Sequence, residues 1–344
     1  MSTARITHWV FNYEPQWEAV SKEIASLRAG LAEAGNASLI SLNTKDRSLR
    51  LRGREKRIPL PRALPLLPFL LPHAARGEVN HLFASPGERY LTPVLARYNG
   101  VLTVAKDTSS LQRIQRNAAV FRRYRAIVVQ CERDRDRMRQ LGVENDRLRL
   151  IRPGISVAPY REPDEPFTIL FASSPFTAGD FLSRGIYLML RTAARVPEIR
   201  FLLVWRERHL AKVRQLMEDA GVTNVEVLNG VVGDMGAVYG RVHATILPGL
   251  EDRSFIPAPR SGLESLAHGK PLLASHFVAI ASSVAAAGAG VVFAPTVGGL
   301  EDAIVRLRNG YAAFQDRSQA YIRENYCPTT HLELYRRLYR TLGV

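Results

Sequence analysis

Short apolar runs alternate with stretches of helical spacing along this chain, and the alternation runs through two successive series. Strands that are apolar on both faces need cover on both sides, so this order predicts parallel sheets flanked by helices. The first series predicts strands at 5–11, 37–42, 79–84, 100–105, 126–130 and 148–151. Helices are expected with them at 17–31, 87–98, 108–122 and 131–141. The second series predicts strands at 168–172, 200–204, 225–228, 243–247, 271–275 and 291–294. Its helices fall at 184–195, 207–220, 233–240, 261–268 and 279–286, and three more at about 298–309, 311–325 and 329–341 close the chain. The fold class is therefore α/β, with two doubly wound Rossmann-like domains facing across a cleft.

The polar, proline-rich stretch 158–166 reads as a linker. It sets an N-terminal domain at 1–157 and a C-terminal domain at 158–325, with a C-terminal helix at 326–344 packing back toward the first domain. Pro61, Pro65, Pro68 and Pro72 interrupt an apolar run, which argues for short turns or a surface loop there rather than a long helix.

At 344 residues, 46% of them hydrophobic, the chain can bury two cores. No apolar run reaches the roughly 18 residues of a transmembrane helix. Met1 to Arg5 leads straight into a strand and does not read as a secretory signal. Cys131 and Cys327 are too few for a disulfide scaffold or a cysteine-ligated metal cluster, so a cytoplasmic location is expected. Asp134-Arg135-Asp136 mimics a metal motif, but it lies on an expected helix between Arg133 and Arg137.

The net charge is +15, and residues 1–160 hold 27 basic against 14 acidic side chains. Such a field favours an anionic partner. Neither helix-turn-helix nor zinc-finger spacing is present, so nucleic acid is not the expected one. Arg47, Arg50, Arg52, Arg54, Lys56 and Arg57 precede Leu64, Leu66, Leu67, Phe69, Leu70 and Leu71. That pairing suits peripheral docking at the inner membrane face, or a solvated loop beside a core helix.

Ligands of doubly wound sheets sit beyond the carboxyl ends of the strands. After 243–247, a loop ending Pro257-Ala258-Pro259-Arg260 enters a helix. Ser261 reads as its N-cap, and Gly262 as room for a ligand against the backbone. The N–H groups of Ser261, Gly262 and Leu263, with Arg260, suit a diphosphate, and Glu264 suits a ribose diol. After 168–172 come Ser173, Ser174 and then Arg184-Gly185, which could bind phosphate oxygens, and Arg206 follows the strand 200–204.

Several segments in order resemble the donor-binding domain of GT-B glycosyltransferases, in particular the retaining family 4, the group 1 glycosyl transferases. They are Arg147 to Ile155, Ile169 to Ala172 with Arg184-Gly185-Ile186, Val238-Tyr239 with Ala244 to Pro248, and Gly262 to Ser275. The resemblance covers about residues 126–310. It implies transfer of a sugar from a nucleotide diphosphate sugar to an acceptor hydroxyl, with retention and with no metal or cofactor. It implies that Glu264 binds the ribose, Arg184 the diphosphate, and Ser173 or Ser174 another phosphate oxygen. The acceptor would be a glycan, a lipid-linked glycan or a small molecule.

Departures from the family pattern leave two alternatives: a binding protein with an eroded site, or a nucleotide-sugar epimerase. Ile256 stands where the family has a first glutamate. The first domain lacks the usual histidine after 100–105, leaving Lys106 and Asp107 there. Asn12-Tyr13-Glu14 replaces a glycine pair after the first strand, which makes Glu14 a third candidate near the sugar.

Overall fold

The structure is a computed structural model that describes residues 6–16, 18–31, 37–43, 48–50, 58–59, 66–76, 78–105, 114–115, 118–175 and 177–344. Two compact units divide the chain, Met1–Gly154 with Pro328–Val344, and Ile155–Cys327. The units meet between Gly154 and Ile155, and the proline-rich stretch 158–166, read as a linker, is held within the second unit. The backbone explains why: Ala158 N–H donates to the Ala267 carbonyl at 3.0 Å, and Gln319 Nε2 donates to the Ala158 carbonyl at 2.7 Å.

In the first unit the strands are β1 (Ile6–Val10), β2 (Ala37–Asn43), β3 (Ser48–Arg50), β4 (Ile58–Pro59), β5 (Val79–Ala84), β6 (Gly100–Val104), β7 (Ala126–Val129) and β8 (Leu148–Leu150). Among the described residues they form one sheet in the order β4-β3-β2-β1-β5-β6-β7-β8. From β2 to β8 neighbouring strands are parallel, while β3 and β4 add an antiparallel edge. That edge was not expected, because its strands lie in and beside the basic stretch, where no apolar pattern marks them. The helix Ala19–Leu31 buries Val20, Ile24, Leu27 and Leu31, one face at helical spacing. Glu18 caps it, accepting from Ser21 N–H at 2.6 Å.

One expectation fails here. Leu66–Ala75 is a ten-residue helix despite Pro68 and Pro72. Pro68 falls in the first turn, where the missing N–H has no helical acceptor to lose. Pro72 forfeits one backbone bond, but Leu70 and Ala74, one turn apart, are buried in the core at 2% and 1% exposure. Burying that face offsets the lost bond.

The helix Pro328–Thr341 completes this unit. Tyr335, Leu338 and Tyr339 join the core cluster that holds Ile6, Val10, Phe83 and Val101. A buried polar chain threads through it. His8 Nε2 meets Tyr339 Oη at 3.1 Å, Tyr339 Oη meets His81 Nδ1 at 2.6 Å, and His81 Nε2 meets Thr103 Oγ1 at 2.7 Å. Thr103 Oγ1 in turn lies 3.1 Å from Tyr335 Oη. Neutral imidazoles satisfy this chain in one direction: His8 donates to Tyr339, Tyr339 to His81, and His81 to Thr103. Only His8 Nδ1, then a bare acceptor, has no partner.

The second unit contains β9 (Thr168–Phe171), β10 (Arg200–Trp205), β11 (Val225–Asn229), β12 (Ala244–Leu247), β13 (Leu272–Ser275) and β14 (Gly290–Phe293). They are parallel, in the order β11-β10-β9-β12-β13-β14. The chain starts in the middle, builds outward to β11, then returns to build the other half. Alternate residues serve opposite faces. Ile169 and Phe171 join the larger core, and Leu170 packs with Val238 and Tyr239 on the other side. Among the described residues, no helix is long and apolar enough to cross a membrane.

Candidate functional site

The strand order of the second unit reverses between β9 and β12. At such a switch point the loops leaving the two strands diverge and open a crevice at their carboxyl ends. These loops carry most of the donor-binding residues expected from sequence.

After β9 the chain passes through Ser173 and Ser174. Arg184 Nη1 donates to the Ser173 carbonyl at 3.2 Å and also to Ser173 Oγ. Ser174 Oγ accepts from Arg206 N–H at 3.0 Å and donates to the Val204 carbonyl at 3.3 Å, stitching the ends of β9 and β10 together. Arg184 is half-buried, and its guanidinium carbon lies 5.8 Å from the centre of the Phe255 ring. Burial lowers its pKa, Asp180 opposes the shift, and Arg206 adds to it. A half-buried cation beside a second cation is electrostatically poised for an anion.

Gly185 brings the two loops together. It sits at φ +72°, where a Cβ would fall 1.9 Å from the Pro248 carbonyl oxygen. This left-handed residue separates a short helical turn, Asp180–Ser183, from the helix Ile186–Ala193, so the helix expected at 184–195 starts two residues later. Leu250 N–H and Ser254 Oγ both donate to the Ser183 carbonyl, at 2.8 and 2.6 Å. Ser275 Oγ donates to the Gly249 carbonyl at 2.6 Å, fixing the same loop from the β13 side.

The acidic helix runs Arg260–Ala267, and its N-cap is Pro259 rather than Ser261. Gly262 and Leu263 N–H both donate to the Pro259 carbonyl, at 3.0 and 3.1 Å. The N–H groups without an acceptor inside the helix therefore belong to Arg260 and Ser261, one position earlier than expected. Gly262 serves packing, not ligand approach. A Cβ there would lie 3.0 Å from Leu247 Cδ1 and 3.3 Å from Leu272 Cδ1, so its bare Cα lets the helix lie against β12 and β13. Leu263 is fully buried and can offer a ligand only its backbone.

Glu264 is held by its neighbours. Arg260 Nε donates to Oε1 at 2.7 Å, one turn away. Tyr239 Oη lies 3.4 Å from Oε2 and donates to the Ser261 carbonyl at 3.1 Å. His268 stacks on Tyr239 at 4.8 Å and contacts the Glu264 carbonyl through Nδ1 at 2.7 Å. Burial first, then Glu264, raises the Tyr239 pKa well above its ordinary value, so the phenol stays protonated. Sequence reasoning missed Tyr239 and His268 as a platform for this carboxylate. The signal was a tyrosine at the end of one helix and a histidine at the end of the other.

The loop after β10 holds a second feature that sequence did not show. Glu207 and His209 both take left-handed backbone, at φ 58° and 55°, around the exposed Arg206 and Arg208. Glu207 N–H donates to Asn229 Oδ1 at 3.0 Å, and Trp205 Nε1 to the Arg208 carbonyl at 2.7 Å, which hold the turn in place. Positive φ at non-glycine residues is strained and clusters at functional loops.

In the first unit the order reverses between β1 and β5, and Glu14 lies on the loop after β1. Its N–H donates to Ser21 Oγ at 3.0 Å and its carbonyl accepts from Glu18 N–H at 2.9 Å, so the loop is fixed at that point. Lys106 and Asp107 lie outside the described residues, as does most of the basic and leucine-rich segment 47–71. Among the described residues no group of three or more His, Cys, Asp or Glu is placed to hold a metal ion. Asp134 is buried beside Arg137, and Asp136 pairs with Arg139 at 3.1 Å on the surface.

No family model matches the chain. No curated protein matches it either. Solved structures do. A sucrose-phosphate synthase from Thermosynechococcus elongatus superposes with a TM-score of 0.79 at 16% identity, over 99% of both chains. A glycosyltransferase from Rickettsia africae gives 0.73 at 12% identity, again over 99% of both. The HepE protein of Anabaena, in a complex with UDP-glucose, gives 0.73 at 13% identity over 98% of this chain and 99% of its own. The chain has the GT-B fold. Within that GT-B fold, the switch point of the second unit carries Ser173, Ser174, Arg184 and the helix from Arg260. The GT-B likeness runs through both units, including the first, where the sequence resemblance was weak.

Proposed function

We propose that this protein is a metal-independent hexosyltransferase that moves a sugar from a nucleotide diphosphate sugar to an acceptor hydroxyl, with retention of configuration. The observation that carries the reading is the switch point of the second unit. Two half-buried arginines, two serines and the unpaired N–H groups of a helix start converge there beside a carboxylate. That is the donor set a nucleoside diphosphate needs. The HepE complex with UDP-glucose supports trying uridine donors first.

In this reading the anomeric carbon's bond to the diphosphate oxygen breaks while its bond to the acceptor oxygen forms. The acceptor's proton passes to the leaving phosphate. Negative charge builds on the diphosphate, and fixed donors aimed at it lower the barrier most. Arg184, Arg206, Arg260 and the N–H groups of Arg260 and Ser261 supply them. Ser173 and Ser174 hold Arg184 and the Arg206 backbone in place. Glu264 accepts the ribose hydroxyls; its 3.4 Å contact with Tyr239 is long enough for a ribose hydroxyl to displace. Gly262 and Leu263 act by placing that helix.

The first unit takes the acceptor. Glu14, Lys106 and Asp107 serve near the transferred sugar, and the basic stretch 47–57 draws the protein to an anionic membrane surface on its inner face. No cofactor takes part.

A thermal-shift screen against UDP, GDP, ADP, CMP and their sugar conjugates tests this, with Glu264→Ala alongside. A ligand at 100 times its Kd adds about 2.7 kcal/mol to the folded state. One nucleotide diphosphate is expected to stabilise the wild type and to bind Glu264→Ala about tenfold more weakly. Stabilisation by none of them would favour a binding protein with an eroded site.

A further inference from the structure

At the opposite, amino-terminal end of the first unit's sheet, cations outnumber acids. A groove of about 370 Å³ is lined by Arg123, Arg125, Arg147 and Arg149, with Asp146 and the backbone turn at Leu342. Three of the four arginines are anchored to backbone. Arg125 Nη1 donates to the Leu342 carbonyl at 3.1 Å, and Arg149 Nη1 to the Asp146 and Leu148 carbonyls at 2.6 and 3.0 Å. Arg147 Nη1 donates to the Arg122 carbonyl, and its Nε pairs with Glu144 at 3.1 Å. Among the described residues, Arg123, Arg125 and Arg149 have no carboxylate partner.

Like charges held together around a hollow repel, and an anion bound there removes the repulsion. Anchored guanidiniums keep further N–H donors in a fork that matches phosphate, at little entropic cost. A lipid surface fits less well. Among the described residues, the exposed large hydrophobic side chains Tyr90, Leu182, Val231, Val305 and Leu334 all lie elsewhere, and Tyr124 beneath the groove is fully buried. We propose that this groove binds a soluble, multivalent phosphate-bearing anion, at a site separate from the donor crevice of the other unit. Because Leu342 follows the helix Pro328–Thr341, the bound anion also ties down the end of that helix.

Inorganic pyrophosphate is the probe, titrated calorimetrically at low salt into the full chain. Since pyrophosphate also suits the donor crevice, Arg184→Gln is titrated beside the wild type and Arg125→Gln/Arg149→Gln. The wild type and Arg184→Gln are expected to share a site that is about tenfold weaker in the double variant. Equal affinity in the double variant, or loss of all binding in Arg184→Gln, overturns the proposal. Should the double variant fail to fold, Arg123→Gln replaces it. Among the described residues the Arg123 side chain makes no hydrogen bond, so the variant's melting temperature should hold while affinity falls about threefold. Unchanged affinity there is again fatal. Cosedimentation with vesicles of phosphatidylglycerol and phosphatidylcholine is expected to be the same for wild type and double variant. Vesicle binding lost in the double variant, with no pyrophosphate binding in the wild type, would make the groove a membrane surface instead.

Discussion

Glu264 and Arg260 are each about a quarter exposed or less, at 20% and 25%, and pair at 2.7 Å. A partly exposed pair one turn apart on a helix contributes about 0–1 kcal/mol. Glu264→Ala should therefore melt within a few degrees of the wild type, and its loss of nucleotide binding reads as lost recognition. Gly185 is the opposite case. Alanine there meets both an unfavourable left-handed backbone and a carbonyl 1.9 Å from the new Cβ. A loss of roughly 3 kcal/mol is expected in chemical denaturation, since strain and overpacking each cost about 1–3 kcal/mol. Residues of this kind divide by how much the chain itself reveals. That Arg184 and Glu264 come after the loops leaving β9 and β12 was legible, because the order of strands and helices along the chain already sets them there. The role of Gly262 was not, because a glycine's spelling does not tell which way its missing Cβ would point. Only the packing of the helix on Leu247 and Leu272 decides that.

The helix Pro328–Thr341 works as an element through two tyrosines one turn apart. Tyr339→Phe removes a hydroxyl shared by His8 and His81, leaving buried nitrogens unpaired, at a cost of about 2–4 kcal/mol in the denaturation midpoint. The same cluster sets a pH dependence. Burial, then Arg28, lowers His8 to about 3. Burial, then His8, lowers His81 as well. Unfolded, both take a proton near pH 6.5. Their neutral forms thus support folding fully above that pH, and the support is lost as pH falls from about 6.5 toward 3, by about 1.4 kcal/mol per pH unit for each histidine. Denaturant titrations at pH 7, 6 and 5 should show the midpoint falling, and less steeply in His8→Asn. A flat profile would mean that the fold leaves the histidines' proton affinity unshifted. Long apolar strands and amphipathic helices were readable as elements, since their periodicity follows from burial alone. The helix across Pro68 and Pro72 and the β3–β4 edge were not. Proline and charge erase the local pattern there, and tertiary burial or strand pairing restores the structure.

At the scale of the whole chain, the two series of alternating elements implied two doubly wound units and the resemblance implied the GT-B fold, while the strand orders came only from the structure. Periodicity does not say which strands are neighbours, and it was the neighbours that located the switch points. The charge asymmetry was plain in composition, yet the hollow formed by Arg123, Arg125, Arg147, Arg149 and the turn at Leu342 draws on three separate segments and could not be read along the chain. The division into units has a further consequence for synthesis. The second unit is continuous, Ile155–Cys327, whereas the first is interrupted by it and closed by Pro328–Val344. On the ribosome, the segment made first is thus the last to be finished. Residues 6–154 emerge with the histidine cluster uncovered, and must wait while an entire Rossmann-like unit is translated before the two tyrosines arrive. A fragment 155–327 should fold alone, whereas 1–154 should stay protease-sensitive until a peptide of 328–344 is supplied. Slow emergence leaves an apolar sheet face exposed for the whole of that interval.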